Sequence, residues 1–122
     1  MYPNLKFAKP IFRKGMQQTI RIMSKIERTP RNGDIFTILD TENNNLGCGF
    51  ILMVEEYSLK DLPLNVVGMS HDPRTQIYEN LVKDIMKYYN VVEENTEVIV
   101  IWFRILPIGK LGEELGISNM WI

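Results

Sequence analysis

The residues best suited to chemistry lie between Phe12 and Asp34, FRKGMQQTIRIMSKIERTPRNGD. Arg13, Lys14, Arg21, Lys25, Arg28 and Arg31 are cations in or beside one stretch, with Gln17 and Thr19 among them. Guanidinium and ammonium groups suit phosphate oxygens, while amide and hydroxyl side chains suit base edges or ribose. Within the stretch Gln18, Ile20 and Ile22 alternate with Gln17, Thr19 and Arg21. That period of two predicts a half-buried strand, one face in a core and Thr19 and Arg21 facing a groove or solvent.

Charge along the chain supports this. Residues 1–32 hold eight Lys or Arg against one acid, and residues 33–122 hold six against fourteen. The net charge of −1 conceals a basic first quarter. Such asymmetry predicts a basic surface facing an anionic partner, unless folding interleaves the two parts so that their charges pair or solvate.

Other chemistries find weaker footing. With one His and one Cys the chain lacks the spaced ligand cluster of a zinc site, and we expect no metal and no cofactor. His71 beside Asp72 reads as part of a helix-capping turn, and Cys48 as core within an apolar strand. Gly47-Cys48-Gly49 lacks the third glycine and following helix of a phosphate-cradling loop, and Gly109, Gly112 and Gly116 have no strand leading into them. Glu55-Glu56 and Glu93-Glu94 read as solvated loop carboxylates rather than an acid/base pair. Tyr57, Tyr78, Tyr88, Tyr89, Trp102 and Phe103 are either core residues or platforms for an unpaired base.

The elements that must position these groups follow from periodicity. Leu5–Ala8 predicts a short strand, and Pro10–Lys14 a short helix opened by proline. Gly15 then releases the chain into the Gln17–Met23 strand. Turn formers at 29–34 precede a strand over Asp34–Leu39, and the Asn-rich loop from Thr41 to Gly47 leads to a strand over Gly47–Val54. Ser58–Leu62 predicts a turn or short helix ended by Pro63. Asp72 as N-cap and Pro73 at the first position open the main helix, with Ile77, Leu81, Ile85 and Tyr88 as its apolar stripe. EVIVIWFRIL at 97–106 reads as a strand buried on both sides. Leu111 and Leu115 mark a short helix in the tail, with Trp121 and Ile122 beyond it and open to contact their own barrel or a second copy.

At 122 residues this is one domain, 1–122, with a core over about 4–106 and an extension at 107–122. The class is α+β and mainly β: a compact β-barrel, which removes exposed strand edges, with one main helix and short connecting helices. No apolar run reaches the length of a membrane span, and the first ten residues lack a signal peptide's apolar core. The lone Cys48 suits a reducing interior, so we expect a cytoplasmic protein with no membrane partner.

Leu5-Lys6-Phe7, Gly15 with Thr19-Ile20-Arg21, Gly33-Asp34 and Val98–Phe103 together resemble the ASCH domain, a small PUA-like β-barrel. That pattern begins with L-x-F and a short helix, continues as G-x-K-T-x-T-I-R, opens the next strand with G-D, and closes with a helix and an apolar strand. The resemblance covers roughly residues 4–106. It implies a cleft lined by the T-I-R strand that takes RNA or nucleotides. Some small bacterial members are amidohydrolases that remove the acetyl group of N4-acetylcytidine with a Lys, the Thr of T-I-R and a Glu before the main helix. Here Thr19 and Arg21 match, Met16 stands at the Lys position with Lys14 two residues away, and Asp72 is the acid nearest the Glu position.

The expectation is therefore a non-catalytic RNA-binding module using Arg13, Lys14, Gln17, Thr19, Arg21, Lys25, Arg28 and Arg31. One alternative is a modified-nucleoside hydrolase built on Lys14, Thr19 and Asp72. Another is a protein-interaction module that docks an acidic partner.

Overall fold

The computed structural model describes residues 4–26, 29–70, 73–88 and 95–117, without the side chains of Lys25, Arg74, Thr75, Asp84, Lys87 and Tyr88. Five strands, β1 (Asn4–Lys6), β2 (Met16–Ile22), β3 (Ile35–Leu39), β4 (Asn45–Ser58) and β5 (Glu97–Ile105), form one sheet in the order β1-β3-β4-β5-β2. The sheet curls into a half-barrel. Only β1 and β3 run parallel; the other neighbours are antiparallel.

The strand β5 lies inside the sheet, between β4 and the β2 edge, and is buried on both faces, as a nearly continuous apolar run requires. Its alternate residues divide the core. Ile99, Ile101, Phe103 and Ile105 join Leu5, Phe7, Phe36, Ile38 and Ile51 inside the curl. Val98, Val100 and Trp102 face outward, beneath the helices α1 (Leu64–Val67) and α2 (Tyr78–Tyr88). A third helix, α3 (Gly109–Glu114), follows β5 and packs on β4. Gly109, at φ 81°, comes so close that a Cβ there would lie 3.0 Å from the Cα of Gly47. That backbone contact seats Leu111 and Ile117 in the inner core, so residues beyond 107 contribute to it.

Four local expectations need correction. Pro10–Lys14 is not helical: Ile11 N–H bonds the Lys9 carbonyl, and the Gln17 side chain takes both the amide and the carbonyl of Arg13. β4 runs from Asn45 to Ser58, and its register shift between Ile51 and Met53 lets it bend while pairing with both β3 and β5. That length places Glu55 and Glu56 in a strand instead of a loop. The short helix expected at Ser58–Leu62 is a 3-10 turn over Leu59–Asp61, but Pro63 beyond it also opens α1, an unexpected helix with too few residues to show a period. The main helix begins as a 3-10 turn over Pro73–Gln76 and becomes α-helical at Tyr78, so Ile77 is 54 % exposed while Leu81 and Ile85 enter the core. Tyr89, His71, Asp72, Glu93, Glu94, Trp121 and Ile122 lie outside the described residues.

The Asn-rich hairpin loop is held by one carboxylate. Asp40 Oδ1 accepts the backbone N–H groups of Glu42 and Asn44, both at 2.9 Å, and Oδ2 accepts the Asn44 side-chain amide at 3.0 Å. The Asn44 side chain foremost, then its backbone N–H, hold the Asp40 carboxyl below the ordinary carboxylate range. A depressed folded-state pKa contributes stability that is complete above the unfolded value, about 3.9, and disappears as pH falls through the lower native value. Thermal melts should therefore show wild type above Asp40→Ala by a constant margin from about pH 6 to 8, closing below about pH 4. A margin independent of pH would mean that the charge is not involved.

Candidate nucleic-acid interface

β2 is one edge of the curl and β1 is the other, and side chains bridge the seam between them. Gln17, Thr19 and Arg21 lie opposite Phe103, Ile101 and Ile99 of β5 and therefore share the inner face. Gln18, Ile20 and Ile22 lie opposite Trp102, Val100 and Val98 and face the helices. Both faces of β2 are consequently covered, where alternation predicted one covered and one open. Thr19 is buried, and Arg21 is half-buried.

Arg21 is the focus of the seam. Its Nε donates to Thr19 Oγ1 at 3.2 Å, and its Cζ lies 4.6 Å from the centroid of the Phe7 ring. Phe7 directly follows β1, and its N–H bonds the Leu39 carbonyl at 2.8 Å. A guanidinium stacked on an aromatic face gains about 0.5–1 kcal/mol at exposed sites and more where water is excluded. Phe7 is itself fixed by Phe12, edge-on at 5.1 Å, and by Phe103 at 6.0 Å. The hydroxyl and the ring hold Arg21 in one orientation.

The other candidates separate into distinct roles. Arg13 donates to backbone carbonyls, Nε to Met16 at 3.1 Å, Nη2 to Met69 at 2.9 Å and Nη1 to Ser70 at 3.3 Å. It ties the start of β2 to the chain after α1. Gln17 is fully buried; its carbonyl accepts Arg13 N–H at 3.2 Å and its amide donates to the carbonyls of Arg13 and Gly15. Gly15, at φ 86°, makes the turn that this side chain closes. Lys14 is exposed, its Nζ and Cε alongside Gly116. Arg31 is exposed in the turn before β3, where its N–H bonds Asp34 Oδ2 at 3.0 Å. Arg28 and Asp72 lie outside the described residues, as does the side chain of Lys25.

Met16 begins β2 and pairs with Arg104, three residues from Thr19 and on the opposite face of the strand. A lysine at that position of this strand would not point toward Thr19. Among the described residues no three of His, Cys, Asp and Glu gather as metal ligands. No described helix is long and apolar enough to cross a membrane.

Of the aromatic residues first considered as base platforms, Tyr57, Tyr78, Trp102 and Phe103 are tied into the structure, while Tyr89 and the Tyr88 side chain lie outside the described residues. Phe103 is fully buried, and the Tyr78 hydroxyl donates to the Leu59 carbonyl at 3.3 Å. Glu55 accepts Trp102 Nε1–H at 2.8 Å and the Tyr57 hydroxyl at 2.9 Å. Donation to Glu55 holds the Tyr57 hydroxyl above its ordinary pKa. Glu55 thus braces β4 against β5 and is no solvated loop carboxylate. Phe7 was missed as a site residue because L-x-F reads simply as a strand; only the sheet order brings its ring to β2.

No family model and no curated protein matches the chain. Solved structures do. A DUF984 protein from Enterococcus faecalis V583 superposes with a TM-score of 0.59 at 12% identity, over 87% of this chain and 81% of that one. The ASCH domain from Lactobacillus crispatus JV V101 superposes with a TM-score of 0.54 at 9% identity, over 73% of this chain and 63% of that one. The fold is ASCH-like. At these identities the likeness is one of fold, and the match takes in less than two thirds of the L. crispatus domain. Within the ASCH-like frame, Thr19-Ile20-Arg21 occupies an edge strand whose inner face meets Phe7 across the seam.

Proposed function

We propose that this chain is a non-catalytic ASCH-like module that binds RNA at the β1–β2 seam. The observation that carries the reading is Arg21, half-exposed and oriented by Thr19 Oγ1 and the Phe7 ring in a basic segment of the chain. Arg21 contacts a phosphate, and Lys14 and Arg31 extend the positive field around it. Arg13 and Gln17 act as positioning residues, since both are committed to backbone groups that shape the turn into β2. Thr19 acts through Arg21.

Titrating a labelled single-stranded RNA of about 12 nucleotides and following its anisotropy tests the reading. Arg21→Ala should weaken binding roughly tenfold, and Arg21→Lys nearly as much, because an ammonium cannot stack on Phe7 and donate to Thr19 in the same way. Unchanged affinity in both variants contradicts the assignment. Release of acetate from N4-acetylcytidine, abolished in Thr19→Ala, would instead establish the hydrolase reading. Co-purification of a protein without nucleic-acid absorbance would favour docking of an acidic partner through the basic segment.

A further inference from the structure

Among the described residues, the helices cover only part of the outer face of the sheet. Helices α1 and α2 lie over Ile22, Val98, Val100 and Trp102. Beyond Trp102 the same face continues as one cross-strand row: Ile35 on β3, Phe50 on β4, Arg104 on β5 and Met16 on β2. Met53, opposite Trp102, flanks this row. Met69 joins it beside Met16, because the Arg13 guanidinium bonds the backbone carbonyls of both. Ile35, Met16, Met69 and Met53 are 38, 40, 40 and 46 % exposed, respectively. Exposed apolar side chains gathered in this way around one arginine mark a contact site more often than isolated exposed residues do.

The strip has a shape and a charge. Four strands at a spacing of about 4.8 Å span roughly 14 Å, about two and a half turns of a helix laid across them. A helix laid there would extend the layer that α1 and α2 already form. Arg104 is exposed in the middle of the strip, and no carboxylate among the described residues pairs with it. A second copy related by a twofold axis through this row would set two Arg104 side chains against each other. Single-stranded nucleic acid would find one cation and one half-buried aromatic ring in the row, a poor match to a stacking platform. Methionines adapt their shape to apolar side chains.

We propose that this strip docks an amphipathic helix of a partner protein, with its apolar face on Met16, Met53, Met69, Ile35 and Phe50 and a carboxylate meeting Arg104. This surface is on the opposite face of the sheet from Thr19 and Arg21, so the inference stands independently of the nucleic-acid reading.

The test uses the full chain with carbon-13 in its methionine methyl groups, assigned by single Met→Leu variants. The probe is a synthetic helix of about 18 residues, or five turns, with a leucine stripe flanked by Glu; a twin carries Lys in place of Glu. The methyl signals of Met16, Met53 and Met69 should shift together on adding the Glu peptide, while that of Met86 on α2 stays in place. Arg104→Glu should weaken the Glu peptide at least about tenfold and let the Lys twin bind, the mark of a charge pair. No shift at about 1 mM peptide, or equal shifts with both peptides in wild type, overturns the proposal. So do shifts that grow with protein concentration alone, which assign the strip to a second copy. Displacement of the signals by oligouridylate in preference to the Glu peptide, or by Trp121→Ala without peptide, overturns it in favour of RNA or of the chain's own last residues.

Discussion

Gly49→Val should yield no cooperatively folded protein, and Gly49→Ala one destabilised by about 3 kcal/mol. Gly49 pairs directly with Phe36 across β3 and β4. The Phe36 ring lies over it so closely that a Cβ would fall 2.4 Å from Cζ and 2.5 Å from Cε1. The ring has nowhere to move, because it is fully buried and held edge-on by Phe103 at 5.2 Å. An added methyl group must therefore displace the inner core or separate the strands. A small domain has only about 5–15 kcal/mol of stability, and the branched side chain consumes much of it. Urea unfolding followed by tryptophan fluorescence should show an earlier transition for Gly49→Ala and no cooperative transition for Gly49→Val. The double change Gly49→Ala with Phe36→Leu should be less destabilising than the sum of its parts, by about 1–2 kcal/mol. Strict additivity would show that the ring is not seated on this glycine.

Phe103→Ala should be the most damaging truncation of the inner core, at about 3–5 kcal/mol. Its ring contacts those of Phe36, Phe7 and Phe12, at 5.2, 6.0 and 6.1 Å. Through Phe7 this cluster also supports Arg21. Phe103→Leu, which keeps most of the volume, should cost about 1.5 kcal/mol or less and still lower RNA affinity, because Phe7 loses its aromatic neighbour. Ile51→Val is the comparison. It is fully buried in the same cluster, opposite Phe103, but is not itself one of the stacked rings, so it should cost about 0.5–1.5 kcal/mol and leave binding unchanged. Equal binding by both variants would separate the aromatic cluster from the site.

Strong, long-range patterns were legible before folding was considered. The nearly continuous apolar run at 97–106 gave a strand buried on both sides, and the alternation from Gln17 gave the strand that forms β2. The G-D turn and the L-x-F start, together with those two, pointed to the ASCH-like curl that the solved structures share. Short elements were not legible. Leu64–Val67 is a single turn, too brief for a period, and Pro10–Lys14 is turned away from helix by the Gln17 side chain, which bonds the backbone of Arg13 four residues upstream. Burial of Thr19 also escaped detection: a strand's period says that two faces differ, whereas the seam between β1 and β2 decides that both are covered. Charge was the least reliable guide. Arg13 reads as a phosphate ligand beside Lys14, yet carbonyls at positions 16, 69 and 70 surround its guanidinium. A hydrogen bond to a residue 56 positions away has no local signature in sequence.

The central claim, an RNA site at the β1–β2 seam, is tested most directly by salt dependence. Single- and double-stranded RNA and DNA oligonucleotides should be titrated at about 50 and about 200 mM salt. Three or four phosphate contacts to a single strand predict an affinity loss of roughly twenty- to fifty-fold between those conditions. Single-stranded RNA should bind best, and Arg21→Ala should reduce both the affinity and the slope. Affinity that ignores salt, or that is the same with and without the Arg21 guanidinium, would contradict the account.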